Sequence, residues 1–345
     1  MVITLVFAVY AFALLVTLLV AGSISDHLGR RPVIIGALIV EIIAMALFVL
    51  ADGAAILIAA RIVQGVATGI ASASLGAALV DADARRAPFV NATAPLAGMA
   101  IGALGTSALV QFSPYPLHSI YVLLLVAFAT GLGAMMLLRM PSARRPGALS
   151  SLWPRVSIPA SARQAFVAVT PINIAQWMLA GFYLSLVPAL VAETTGNRSP
   201  LVSGLLVAGL MVTGTVAVLF RRSRPALANL RWGVGFVVMG VLTVAAGVNL
   251  GSVPILALGT IISGVGFGTS FLGSTGYLMP LAGPEDRAEL LSAYYVESYL
   301  AFSLPLIAAG YLVREAGYVV TINLFAGALL ILAAIGLPFL LRKAG

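Results

Sequence analysis

The sequence has no cysteine, two histidines and a single lysine, and only 9% of its 345 residues are charged. Without cysteine no disulfide forms, and the redox compartment stays open. No phosphate-cradling glycine loop and no cluster with metal-ligand spacing occurs. Nothing therefore points to an enzyme, a catalytic residue, a bound metal or cofactor, or ATP hydrolysis as a driving force. Soluble domains carry about a quarter charged residues. This chain falls far below that, and 61% of it is hydrophobic, which places it in lipid. The net charge of +8 does not indicate nucleic acid, because the basic residues are confined to short connections between apolar runs. Arginine outnumbers lysine eighteen to one, a bias that suggests a GC-rich bacterial gene.

A bilayer core of roughly 30 Å takes about 20 apolar residues of helix, and the chain supplies such runs repeatedly. Eleven spans are predicted, at about 1–21, 33–51, 55–80, 89–111, 118–138, 166–192, 201–220, 232–250, 253–281, 288–313 and 317–341. All are expected to be helical, since a lipid-exposed backbone must satisfy its own hydrogen bonds. The first run is not a signal peptide: it has no positive leading region, and its charges follow it.

The connections alternate sharply. Sixteen of the nineteen basic residues fall in one set, which includes Arg30, Arg31, Arg85, Arg86, Arg221, Arg222, Arg224, Arg231 and Lys343. The other set holds only Arg198 and Arg314, and Arg61 lies within a span. The positive-inside rule puts the C-terminus in the cytoplasm. His27 and His118 then lie on opposite faces of the membrane. The longest polar connection, 139–165, holds Pro141, Pro146, Pro154 and Pro159. It reads as a cytoplasmic linker between a five-span half, 1–138, and a six-span half, 166–345.

An internal repeat crosses that linker. Arg61-Ile-Val-Gln-Gly65-Val-Ala-Thr-Gly69 aligns with Thr260-Ile-Ile-Ser-Gly264-Val-Gly-Phe-Gly268, and the same register sets Gly22–Val33 against Arg221–Trp232. Parallel repeats about an axis along the membrane normal are a habit of secondary transporters. The register also sets Met1 beside Pro200, so the span at 166–192 has no partner in the first half. By this symmetry one helix is expected ahead of residue 1.

The loop after the first run is Gly22-Ser-Ile-Ser-Asp26-His-Leu-Gly29-Arg30-Arg31-Pro32. Gly22 ends a span and permits close backbone approach. Gly29 allows a turn, Pro32 suits a helix start, and Asp26 suits a cap or an arginine partner. A Gly-x-x-x-Asp-x-x-Gly-Arg-Arg loop between two spans resembles the signature loop of the major facilitator superfamily. There it joins the second and third helices on the cytoplasmic side. Arg61-x-x-Gln64-Gly65 resembles a second signature of that family, on its fourth helix, where the arginine is buried and functional. Gly98, Gly102 and Gly105 match in part a glycine-rich signature of its antiporters, although Ala103 stands where proline is usual; close helix packing explains these glycines as well. The resemblance implies an all-α membrane protein with the family's fold, two pseudo-symmetric helical bundles. The family has twelve spans, and the eleven here look like the second through the twelfth.

Several polar residues inside spans are candidates for function. Glu297 lies deep in an apolar run with Tyr294 one turn away on the same face. Desolvation there suits a group that binds and releases protons, and a neutral glutamate packed between helices is the alternative. Arg61 is a coupling candidate by its cost in lipid, unless it snorkels to the outer face. Glu41 is also deep, and a structural partner is expected for it because the family places that helix outside the bundle. Asn173, Gln176 and Trp177 open a span that lines the central cavity in the family. They are therefore substrate-contact candidates, with helix–helix adhesion as the other reading. Tyr277 and Gln64 join this set. The resemblance further implies a cytoplasmic gate from Gly22, Asp26, Gly29, Arg30, Arg31 and Asp81, the alternative being solvated loop charge.

Together these features predict a secondary active transporter of a small organic solute, working by alternating access, with proton-coupled efflux preferred. An uptake symporter is the runner-up, and a truncated membrane protein that transports nothing is a second class. The expected partners are a small-molecule substrate, protons and the lipid bilayer. The expected setting is a bacterial inner membrane, and the expected state is a monomer.

Overall fold

The computed structural model describes residues 2–21, 24–83, 85–138, 156–283 and 286–342. Gly22, most of the 139–165 connection and Lys343 lie outside the described residues. Apart from turns and extended connections, the described chain is helical: α1 (Val2–Ala21), α2 (Ile24–Leu28), α3 (Arg30–Val49), α4 (Ala54–Ala82), α5 (Ala87–Phe112) and α6 (Pro116–Leu137), then α7 (Ala160–Ser185), α8 (Val187–Thr195), α9 (Pro200–Arg221), α10 (Ala226–Asn249), α11 (Val253–Leu278) and α12 (Arg287–Arg342). Nine of these are long and apolar enough to cross a bilayer, with α1 contributing a shorter apolar stretch, Ala8–Ala21. The last of the nine supplies two of the expected spans. Helix α12 runs 56 residues, well over twice what one crossing needs, and Gly317 breaks it with φ 80. The connection expected between those two spans thus shrinks to a single left-handed residue, a conformation that favours glycine.

Proline and glycine set most other boundaries. Proline stands in the first turn of α6, α8, α9 and α11, where its missing N–H costs nothing. Gly29 takes φ 94 and turns α2 into α3, as its place in the loop suggested. Pro32 follows as the third residue of α3, still within the unpaired first turn. The span expected at 166–192 departs most from its prediction. It starts at Ala160 and is divided after Ser185, because Pro188 cannot donate the hydrogen bond that would continue α7.

The chain forms two compact units. The N-terminal unit holds Val2–Ala92 and Phe112–Val156; the C-terminal unit holds Thr93–Gln111 and the chain from Ser157 onward. Most of α5 therefore belongs with the C-terminal unit, where Ser107 lies against Gly204 of α9 and Gln111 Oε1 accepts a 2.9 Å hydrogen bond from Ser199.

Small residues bring helices together within each unit, since lipid offers no hydrophobic drive between them and packing must supply the attraction. In the N-terminal unit α4 lies on α1: a Cβ at Gly65 would stand 2.7 Å from the Tyr10 carbonyl oxygen. In the C-terminal unit α11 lies on α9 in the same way, with Gly264 against the Leu210 carbonyl oxygen and Gly268 against Gly214. These are the glycines that the internal repeat aligns. The tightest pair is α10 with α11. Gly233, Gly240 and Gly247 of α10 meet Ser270, Ser263 and Leu256, while Gly259, Gly266 and Gly273 of α11 meet Val244, Val237 and Leu230. Each set recurs every seven residues, so the two antiparallel helices present a small-residue seam in constant register.

Candidate transport site

The C-terminal unit buries a polar network where α7 meets α12. Thr170, Asn173 and Gln176 recur at three-residue steps on α7 and so share one face. Across from them stand Tyr294, Glu297 and Ser298 of α12. The Thr170 hydroxyl donates to Glu297 Oε2 at 2.7 Å, and Asn173 Nδ2 donates to Glu297 Oε1 at 2.8 Å. The other Asn173 amide proton goes to Ser298 Oγ at 3.1 Å. Gln176 Nε2 donates to Asn173 Oδ1 at 2.8 Å and to the Tyr294 hydroxyl at 3.0 Å. Asn173, Gln176 and Ser298 are fully buried, and Glu297 is half-buried. Close approach farther along the same helix pair, where a Cβ at Gly181 would stand 2.7 Å from the Phe302 carbonyl oxygen, lets these short side chains reach across.

Two features of this network are chemically active. Thr170 Oγ lies 3.0 Å from the Phe166 carbonyl oxygen as well as 2.7 Å from Glu297, yet a hydroxyl has one proton to give. A charged Glu297 takes it; a protonated Glu297 donates to Thr170 and leaves that proton to Phe166. The network therefore accommodates both states by turning one hydroxyl. Second, the buried Gln176 Oε1 has no hydrogen-bond partner, and buried polar groups left so are uncommon. Trp177 is ringed by Phe267, Phe271, Tyr299 and Phe302 at centroid distances of 5.9–6.4 Å.

Tyr277 stands apart from this network, nearly two turns along α11 from Phe271, and packs edge-on against Phe339 at 6.0 Å. Tyr294 shares the network with Glu297, but its hydroxyl receives Gln176.

The N-terminal unit has its own polar cluster. Arg61 does not reach out along its helix: its guanidinium lies over the Phe48 ring at 5.1 Å and the Tyr10 ring at 5.8 Å, and Nη1 donates to Gln64 Oε1 at 2.8 Å. Glu41 is buried and accepts a 2.5 Å hydrogen bond from Thr68 of α4, which in turn pairs with Tyr10 of α1. Spacing along the chain could not reveal this Tyr10–Thr68–Glu41 chain, because each member sits on a different helix.

At the arginine-rich end of this unit, Arg30 bridges two acids. It meets Asp26 at 2.5 Å and Asp81 at 2.8 Å, and Ser25 as well. Arg31 turns the other way and donates to the carbonyl oxygens of Met135 and Met136, closing the end of α6. Asp83 pairs with Arg86 at 3.6 Å instead of reaching Arg30. Among the described residues, nothing lies within 4 Å of a Cβ added at Gly98, Gly102 or Gly105.

Long apolar helices with acids, amides and an arginine held at their interfaces define a multi-pass α-helical membrane protein. Its sequence matches the model of the Major Facilitator Superfamily over residues 1–233, and the chain belongs to that family. The family consists of transporters, not enzymes; they sit in the bilayer and bind small-molecule substrates. Among solved structures, the crystal structure of the human organic anion transporter MFSD10 (TETRAN) is similar, with a TM-score of 0.68 and 18% identity, over 96% of this chain and 83% of that one. At that identity the likeness is one of fold. A comparison with curated proteins gave no match.

Proposed function

We propose that this protein is a proton-coupled secondary transporter that exports a small organic solute across a bacterial inner membrane by alternating access, with its C-terminus in the cytoplasm. The observation that carries the coupling is Glu297: an acid in an apolar helix, held by Thr170 and Asn173, in a network that serves either protonation state. Proton binding there changes which group Thr170 serves, and so changes the adhesion of α12 to α7. Asn173, Gln176 and Trp177 contact the substrate, for which the unpartnered Gln176 Oε1 offers an acceptor and the Trp177 ring an apolar face. Arg61 and Gln64 contribute from the N-terminal unit. Asp26, Arg30 and Asp81, with Gly22, Gly29 and Arg31 shaping the loop, act as the cytoplasmic gate. The protein works as a monomer. Import by symport would use the same groups with the flux reversed.

The test is flux in proteoliposomes under an imposed pH gradient, with cationic, neutral and anionic organic solutes; the last are included because the similar human protein is described as an organic anion transporter. Flux that follows the gradient and is lost in Glu297→Gln supports the reading. Flux indifferent to the gradient, and unchanged in that variant, overturns the coupling role.

A further inference from the structure

Arg61 is a cation inside a membrane span, and among the described residues no carboxylate makes an ion pair with it. Its Nη1 donates to Gln64 Oε1, a neutral amide, and its buried Nε has no partner. Glu41 is committed to Thr68, two turns or about 10 Å farther along α4. The other titratable groups beside Arg61 are the phenols of Tyr10 and Tyr121. The rings of Phe48 and Tyr10 bed the guanidinium, and Phe48 is itself stacked on Tyr121 at 4.7 Å. The side chain is thus held in one place, yet it stays partly exposed.

Packing does not ask for this charge. The internal repeat sets Thr260 opposite Arg61 and Ser263 opposite Gln64. In the C-terminal unit Thr260 is buried and lies 2.9 Å from the Tyr183 hydroxyl. The matching position is therefore filled there by neutral hydroxyls. An uncompensated cation in a span is expensive. A guanidinium with N–H groups to spare matches a carboxylate in both shape and charge.

We propose that Arg61, with Gln64, binds the carboxylate of the transported solute, which makes the substrate class small organic anions. This inference rests on the transporter reading, but not on proton coupling at Glu297.

The test is thermal unfolding of the full chain in detergent, because a ligand of the folded state raises Tm. The probes are benzoate, octanoate and succinate, each beside its amide, with chloride and phosphate as inorganic anions. At least one carboxylate raises Tm, and its amide does not. Gln64→Glu sets a carboxylate of the protein's own against Arg61 and so keeps the fold; it weakens carboxylate binding on the order of tenfold or more. Arg61→Gln weakens it likewise, and Arg314→Gln, an exposed cation removed elsewhere, leaves it within about twofold. Equal stabilisation by the amides, none by any carboxylate, the same rise with inorganic anions, or an unchanged response in Gln64→Glu each overturns the proposal. Gradient-driven flux of a cationic or neutral solute without carboxylate binding overturns this inference and leaves the transporter reading standing. Carboxylate binding without gradient-dependent flux supports this inference and overturns the coupling alone.

Discussion

Asn173 is the residue on which the C-terminal network turns, because its amide joins Gln176, Ser298 and Glu297 at once. Replacing it with leucine takes one hydrogen bond from each of the three, while Gln176 keeps the Tyr294 hydroxyl, Ser298 the Tyr294 carbonyl and Glu297 the Thr170 hydroxyl. We expect Asn173→Leu to cost about 1–2 kcal/mol, the range for hydrogen bonds between helices in lipid. Thermal unfolding in detergent measures it as a fall in Tm of a few degrees. Thr68→Val in the other unit leaves the buried Glu41 without its hydrogen bond and is expected to cost at least as much by the same measurement. The sequence marked Asn173 and Gln176 as polar positions opening a span, without Thr170, and the isolation of Glu297 in an apolar run marked it. What spacing left hidden was the partner in each case. Thr170 lies 127 positions from Glu297 and Thr68 lies 27 from Glu41, and only packing of one helix on another brings them together. Arg30 fell between these cases: its sharing between Asp26 and Asp81 was open from the loop alone, since one acid is local and the other distant.

At the scale of the element, the α10–α11 seam is the strictest constraint. A Cβ at Gly266 would stand 2.5 Å from the backbone nitrogen of Val237, and backbone cannot yield as a flexible side chain can. Gly266→Leu is expected to destabilise by about 3 kcal/mol or more and to abolish a monodisperse peak in size-exclusion chromatography. Gly98→Ala, at an open position, is expected to leave that peak unchanged. The heptad glycines stand in the sequence, but they become a seam only when the two helices are known to be antiparallel neighbours. The helices themselves were legible from hydrophobic runs, and the break at Gly317 was legible as a boundary. The division of α7 from α8 was not resolved, because the apolar run continues through Pro188 and hydropathy does not register a missing donor.

At the scale of the whole molecule, orientation and gating are open to direct measurement. The chain has no cysteine, so single cysteines can be added without removing any. An impermeant maleimide applied to intact cells is expected to label Asp52→Cys and to spare Arg224→Cys; the reverse pattern would invert the proposed orientation. Arg30→Gln breaks the bridge to Asp26 and Asp81 and is expected to reduce flux severalfold while leaving the amount of folded protein unchanged. The tight seam bears on how such a molecule moves. Helices interlocked at every heptad have no room to slide lengthwise or to part, so α10 and α11 travel as one strut. Bending is expected instead where the backbone is already interrupted, as at Pro171 in α7, the joint at Leu186, Pro305 and Pro338 in α12 and the left-handed Gly317.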